Sequence, residues 1–122
     1  MPVKKESAVE PHDLARQIAL LAEEKKAADI LVLDVSSLTT VTEAFVICTG
    51  GSEPQLAAIT ESIVSGMAEE GIVPAHRNRE ASSHWIVLDY GSVIVHIFTP
   101  PERDFYKLEQ LWSDAKVLVR IQ

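Results

Sequence analysis

Two apolar runs, WIVLD at 85–89 and VIVHIF at 93–98, are separated by only Tyr90, Gly91 and Ser92, and this spacing constrains the fold more than any other feature of the chain. The turn signal is Asp89-Tyr90-Gly91-Ser92, in which Gly91 can take the positive φ that a short hairpin demands. A two-residue loop, at Tyr90-Gly91 or Gly91-Ser92, puts Ile86, Leu88, Val93, Val95 and Ile97 on one face, because side chains alternate along each strand and meet cross-strand partners. That face is wholly apolar and belongs in a core. The opposite face carries Trp85, Val87, Asp89, Ile94, His96 and Phe98, a mixture that is either roofed by another element or offered to a partner. Thr99-Pro100-Pro101 then stops the strand, since proline cannot donate to a ladder. The following helix repeats Phe105, Leu108, Leu111 and Trp112 at helical spacing, with Glu102, Arg103, Lys107 and Glu109 on its other faces, so it is expected to pack on the sheet as one amphipathic piece.

Upstream, Leu14, Ile18 and Leu21 with Ala15, Ala19 and Ala22 predict a helix over 11–26, whose charged end Glu23, Glu24, Lys25 and Lys26 is a solvated face. ILVLDV at 30–35 and AFVICT at 44–49 are short, continuous and β-branched, as buried strands are, with a polar connection over 36–42. Gly50-Gly51 breaks the second strand. Ser52 is the expected N-cap of a helix to about Glu70, with Pro54 in the first turn, Gln55 closing a capping box, and Leu56, Ile59, Ile63 and Met67 on one stripe. Gly71 ends that helix, and residues 72–75 read as a short edge strand that tolerates Pro74. The predicted order is α, β, β, α, β, β, β, α: a single α/β domain over 11–115 with a mixed sheet flanked by helices. Residues 1–10 are expected to be a flexible leader and 116–122 a C-terminal tail. Strand order is not legible at this level.

The formal charge of −7 argues against binding nucleic acid chiefly by phosphate neutralisation and suits an acidic surface that meets a basic protein. The lone Cys48 cannot form an internal disulfide, and no run is apolar enough for a membrane span or signal peptide, so a cytoplasmic protein is expected. The lack of an arginine-rich leader favours a bacterial rather than an organellar setting.

Few chemical motifs compete. Gly50-Gly51-Ser52, after a strand and before a helix, could cradle a phosphate on backbone amides and resembles the glycine-serine turn of nucleotidyltransferases. Those enzymes hold metal ions on closely spaced carboxylates just downstream, whereas only Glu53 lies near. A nucleotide-handling enzyme is therefore the alternative reading, not the leading one. His12, His76, His84 and His96 lack metal-site spacing, so no metal or cofactor is expected, and His96 reads as a packed or interface histidine. Cys48, inside an apolar strand, reads as an inert core residue. Arg77 and Arg79, in the one basic cluster, read first as an exposed loop, because two arginines make a small patch, and second as a contact for RNA phosphates at the edge of a ribonucleoprotein. Trp85, Tyr90, Phe98 and Tyr106 have the character of interface anchors: the stretch 83–112 gathers six of the seven aromatic residues, more than a small core needs.

The segments DVSSLTTVTEAFVICTGGSEPQLAAI, 34–59, and HWIVLDYGSVIVHIFTPPERDFYKLEQLWSDA, 84–115, resemble the ribosomal silencing factor (RsfS, Iojap-like) family. The resemblance implies a fold related to nucleotidyltransferases without their catalysis, and no enzymatic activity. It also implies binding to the large ribosomal subunit through its fourteenth protein, uL fourteen, where the small subunit would dock, so that joining is blocked by bulk and translation is repressed. Carried over by motif position, Trp85, Asp89, Tyr90, Gly91, His96, Phe98, Arg103 and Tyr106 are the expected partner-binding residues. Departures from the family pattern are Glu43 and Ala44, where an aspartate and an aromatic are common, and Ser92, where aspartate is usual; the last weakens any salt bridge at the turn. A homodimer burying the apolar face would compete with ribosome binding.

Overall fold

A computed structural model of the chain describes residues 9–78 and 84–122. Helix α1 (Pro11–Glu24) leads into strands β1 (Ala28–Asp34) and β2 (Ala44–Thr49), then helix α2 (Glu53–Glu69), strands β3 (His76–Arg77), β4 (Trp85–Asp89) and β5 (Val93–Phe98), short helices α3 (Pro100–Tyr106) and α4 (Leu108–Leu111), and strand β6 (Lys116–Ile121). The sheet order is β3-β4-β5-β2-β1-β6. All neighbours are antiparallel except β2 and β5, which run parallel because α2 carries the chain over one face between them.

The predicted α/β sandwich of sheet and helices is the observed one. Alternation along the central strands feeds two apolar layers. Ile30, Val32, Val46, Cys48, Val95 and Ile97 meet Leu14, Ile18, Leu56, Ile59, Ile63 and Met67 of α1 and α2 on one face. On the other, Leu31, Leu33, Phe45, Ile47 and Phe98 form a second cluster packed by Leu108 and Trp112. Burial on both faces is why β1 and β2 read as unbroken apolar runs. The hairpin behaves as its pattern demands: Trp85 opposes Phe98, Ile86 opposes Ile97 and Leu88 opposes Val95, so the two faces partition as expected. The loop is Gly91-Ser92, with Tyr90 N–H donating to Val93 C=O at 2.9 Å and Gly91 at φ +87°.

Four features differ from the sequence reading. The segment 116–122, expected as a tail, contributes β6, which pairs with β1 and completes the sheet edge. Lys116, Val117 and Arg120 are exposed and Leu118, Val119 and Ile121 only partly buried, so the strand shows no clean apolar alternation. The edge strand expected at 72–75 starts later, at His76, because Pro74 has no N–H to give and the ladder opens with Ala75 N–H on Asp89 C=O at 2.7 Å. The single C-terminal helix is broken in two at Lys107, which takes a left-handed φ of +46° and is the C-cap of α3. Gln55 does not close the capping box on Ser52. Ser52 Oγ accepts Gln55 N–H at 3.3 Å, while Gln55 Oε1 accepts Gly51 N–H at 2.6 Å and its Nε2 donates to Lys25 C=O and Lys26 C=O, each at 3.1 Å. The end of α1 is thereby tied to the start of α2.

The two helices approach closely where Gly66 faces Leu21: a Cβ at Gly66 would lie 2.7 Å from both Leu21 methyls. Gly66→Ala gains about 1 kcal/mol of helix propensity and loses more to overpacking. A net loss of about 1 kcal/mol, read as a lower denaturation midpoint, is expected.

Candidate functional site

The mixed hairpin face is half roofed, and the roof is aromatic. Trp85 stacks on its cross-strand partner Phe98, centroids 5.0 Å apart and planes at 25°. Tyr106, at the end of α3, lies 4.6 Å from Trp85, and Phe105 meets Tyr106 edge-on at 5.0 Å. Deeper in the sheet, Phe45 presents its edge to His96 at 5.1 Å and packs on Trp112 at 5.1 Å. These offset and edge-to-face arrangements are favourable for aromatic rings and hold one another in place.

His96 is the polar centre of this cluster and only 8% exposed. Trp85 Nε1–H donates to His96 Nδ1 at 3.1 Å, so Nδ1 is the acceptor nitrogen and Nε2 carries the proton of the neutral ring. Desolvation pushes the His96 pKa down from an ordinary 6.5 to about 4. The group is therefore a neutral, packed side chain that accepts the Trp85 indole N–H.

The break at Lys107 decides what is left outside. A continuous helix would turn Phe105 and Leu111 onto the sheet with Leu108 and Trp112. With the break, Leu108 and Trp112 pack on the second cluster, while Phe105 is 77% and Leu111 74% exposed, beside a Tyr106 that is 44% exposed. Sequence reasoning assigned Phe105 and Leu111 to the core, and no signal in the apolar spacing could have excluded that.

The remaining expected residues scatter. Asp89 holds the turn, its carboxylate accepting Gly91 N–H at 2.8 Å, and Ser92 C=O accepts Glu43 N–H and Ala44 N–H, which latches the turn to the β1–β2 connection. Tyr90 lies on the other side of the sheet at the margin of the α1–α2 core, where burial lifts its hydroxyl pKa to about 12. Phe98 is fully buried. Arg103, with a side chain 13% exposed, points inward: Nε meets both Glu109 oxygens at 3.2 Å, and Nη1 donates to Asp29 C=O at 3.0 Å and Thr49 Oγ1 at 2.8 Å. Arg77 is ion-paired with Glu61 at 2.7 Å, and Arg79 lies outside the described residues.

The glycine turn opens on a crevice of about 500 Å³ at the carboxyl ends of the parallel strands β2 and β5, the position where open sheets bind ligands. Three of its polar groups are engaged by the chain: Gln55 Oε1 accepts the Gly51 amide, Arg103 is bonded as above, and Lys107 pairs with Asp104 at 3.0 Å. Among the described residues no three His, Cys, Asp or Glu side chains converge to hold a metal ion, and no helix is long and apolar enough to cross a membrane.

Comparison with known proteins gives a consistent picture. The family described as ribosomal silencing factor during starvation, RsfS, matches residues 8–122. The ribosomal silencing factor RsfS of Bacillus subtilis is 38% identical over 97 residues, covering 80% of this chain and 82% of that protein. The chloroplastic protein Iojap of Arabidopsis thaliana is 38% identical over 101 residues, covering 83% of this chain and 42% of its own longer one. Among solved structures, a Chromobacterium violaceum protein superposes with a TM-score of 0.82 at 30% identity, covering 86% of this chain and 88% of the other. A Bacillus halodurans protein does so with a TM-score of 0.73 at 30% identity, covering 85% and 95%.

Proposed function

Because the chain belongs to the RsfS family of ribosomal silencing factors, we propose that it represses translation without catalysis, by docking its aromatic face on the large-subunit protein uL fourteen and obstructing the small subunit with its bulk. The observation that carries the site is the exposed elbow of α3 and α4: Phe105 and Tyr106 stand in solvent next to the Trp85 stack, and Leu111 is exposed on α4. Large apolar side chains grouped at a surface mark an interface, and aromatic anchors dominate interface energetics. In this reading Trp85, Tyr106, Phe105 and Leu111 make contact and Asp89 and Gly91 shape the adjoining turn. His96 and Phe98 support Trp85 from beneath, while Tyr90 and Arg103 serve the scaffold. The net charge of −7 suits a basic protein partner better than RNA, and the Arg77–Glu61 pair leaves little for a phosphate contact. The proposed site of action is the compartment that holds the ribosomes, the cytoplasm in a bacterial cell such as those of the RsfS relatives. The same elbow would be covered in a homodimer, so self-association and ribosome binding would compete.

Cosedimentation with separated subunits tests this. The protein is expected to pellet with large subunits and not with small ones, and to reduce joining when both are mixed. Binding to neither, together with a thermal shift on adding nucleotide and magnesium, would instead support the enzymatic alternative at Gly50-Gly51-Ser52. Sedimentation across a concentration series separates the monomer from the homodimer.

A further inference from the structure

Neither α3 nor α4 has a fully buried side chain, so the elbow that carries Phe105, Tyr106 and Leu111 has no core of its own to fix it. Leu108 and Trp112 rest on the second cluster from one side. The hinge between the two helices is the left-handed Lys107, whose N–H donates to Arg103 C=O at 3.0 Å and whose C=O accepts Gln110 N–H at 2.9 Å. The Arg103 guanidinium reaches both ways from α3. Its Nη1 donates to Thr49 Oγ1 at the end of β2, at 2.8 Å, and to Asp29 C=O near the start of β1, at 3.0 Å, which joins α3 to the sheet. Its Nε lies 3.2 Å from each Glu109 carboxylate oxygen, which joins α3 to α4 across the hinge. With side chains 13% and 32% exposed, this pair is largely withdrawn from water, where a charge-assisted bond is strong and an unpaired charge is costly. Among the described residues, the other ion pair at the elbow joins Lys107 to Asp104; it is more open to solvent and does not reach α4.

We propose that Glu109 is a positioning residue for docking: by gripping Arg103 across Lys107 it sets the angle between α3, which bears Phe105 and Tyr106, and α4, which bears Leu111. The inference rests on the reading of that elbow as the surface that meets the large subunit. A left-handed residue other than glycine persists only where its surroundings hold it, and the carboxylate is the polar group that does so from the α4 side. Glutamine at this position would keep an acceptor for Nε without the charge. Alanine would keep neither, yet would leave the bonds from Arg103 to the sheet in place, so that α4 is released while α3 stays anchored.

The test measures exchange of the Gln110 amide proton and affinity for isolated large subunits, well below the melting temperature, in Glu109→Ala, Glu109→Gln, Leu111→Ala and the double variant Glu109→Ala with Leu111→Ala. Glu109→Ala is expected to speed exchange at Gln110 and to weaken binding about tenfold, the loss that one charge-assisted bond represents. Glu109→Gln is expected to fall between it and the unaltered protein. Because Glu109 acts through what α4 presents, adding Glu109→Ala to Leu111→Ala should weaken binding only about twofold further. Full additivity would mean that Glu109 touches the partner itself, and would overturn the positioning role. So would unchanged exchange at Gln110, or a lowered melting temperature with unchanged affinity, the signature of a part in fold stability alone. If the unaltered protein fails to bind large subunits, the docking reading falls and this role falls with it; if it binds and the Glu109 variants bind equally well, the docking reading stands and Glu109 drops out.

Discussion

Phe105→Ala is expected to weaken binding to the large ribosomal subunit by about 2 kcal/mol, roughly thirtyfold in Kd, and to leave the melting temperature of the free protein where it was. The two halves of that expectation have one cause. A side chain 77% exposed contributes little burial to the fold, so its removal costs the native state little. The same exposure makes its apolar area available to a partner. Trp85→Ala makes the contrast. Its ring stacks on Phe98 and Tyr106 and its N–H is bonded to His96, so truncation strips both a contact surface and a part of the second core. It should lower binding and stability together, by about 3 kcal/mol in stability as buried aromatic truncations do. Measuring both quantities on both variants decides the geometry of the interface. If Phe105→Ala binds normally while remaining folded, the elbow is not the docking surface, and a Trp85 defect in binding would then reflect only a damaged fold.

The hairpin's faces were readable from its sequence because they differ in character and because either two-residue loop, Tyr90-Gly91 or Gly91-Ser92, assigns every residue of the two strands to the same side; the structure takes Gly91-Ser92, with Gly91 at positive φ. The order of the other strands follows from α2 crossing between β2 and β5, a long-range choice that leaves no local mark. The elbow at Lys107 was invisible for a similar reason. A lysine in the left-handed region is uncommon, and nothing in ERDFYKLEQLW announces it. That single backbone torsion converts Phe105 and Leu111 from expected core residues into the most exposed aromatic and one of the most exposed aliphatic side chains described. Strand β6 escaped because edge strands are short, half-buried and dotted with charge. The glycine turn shows the opposite case. Its residues look like a phosphate cradle, but Gln55, read as half of a capping box, reaches across to Lys25 and Lys26 and takes the Gly51 amide for the scaffold.

Acid is expected to unfold this protein partly through one imidazole. His96 has a folded-state pKa of about 4 against an ordinary 6.5, so between these values the unfolded chain takes up a proton that the folded chain excludes. The sign follows: stability is fully present above pH 6.5, falls as pH drops toward 4, and stops falling from this cause once the folded ring also protonates. The loss accumulates at about 1.4 kcal/mol per pH unit, to about 3 kcal/mol over the window, a large share of the stability of a small domain. Protonating Nδ1 would also convert the acceptor of the Trp85 N–H into a donor, so the docking face loses its orienting bond at the same step. Urea denaturation at pH 7 and pH 4.5, for the unaltered protein and for His96→Gln, isolates the effect, since carboxylates titrate alike in both and glutamine keeps an acceptor for the indole. The unaltered protein is expected to lose about 2 kcal/mol more than the variant over that interval. Equal losses would mean that the imidazole is reached by a proton without unfolding, and that the packing of Phe45 and Trp85 around it opens more easily than its 8% exposure implies.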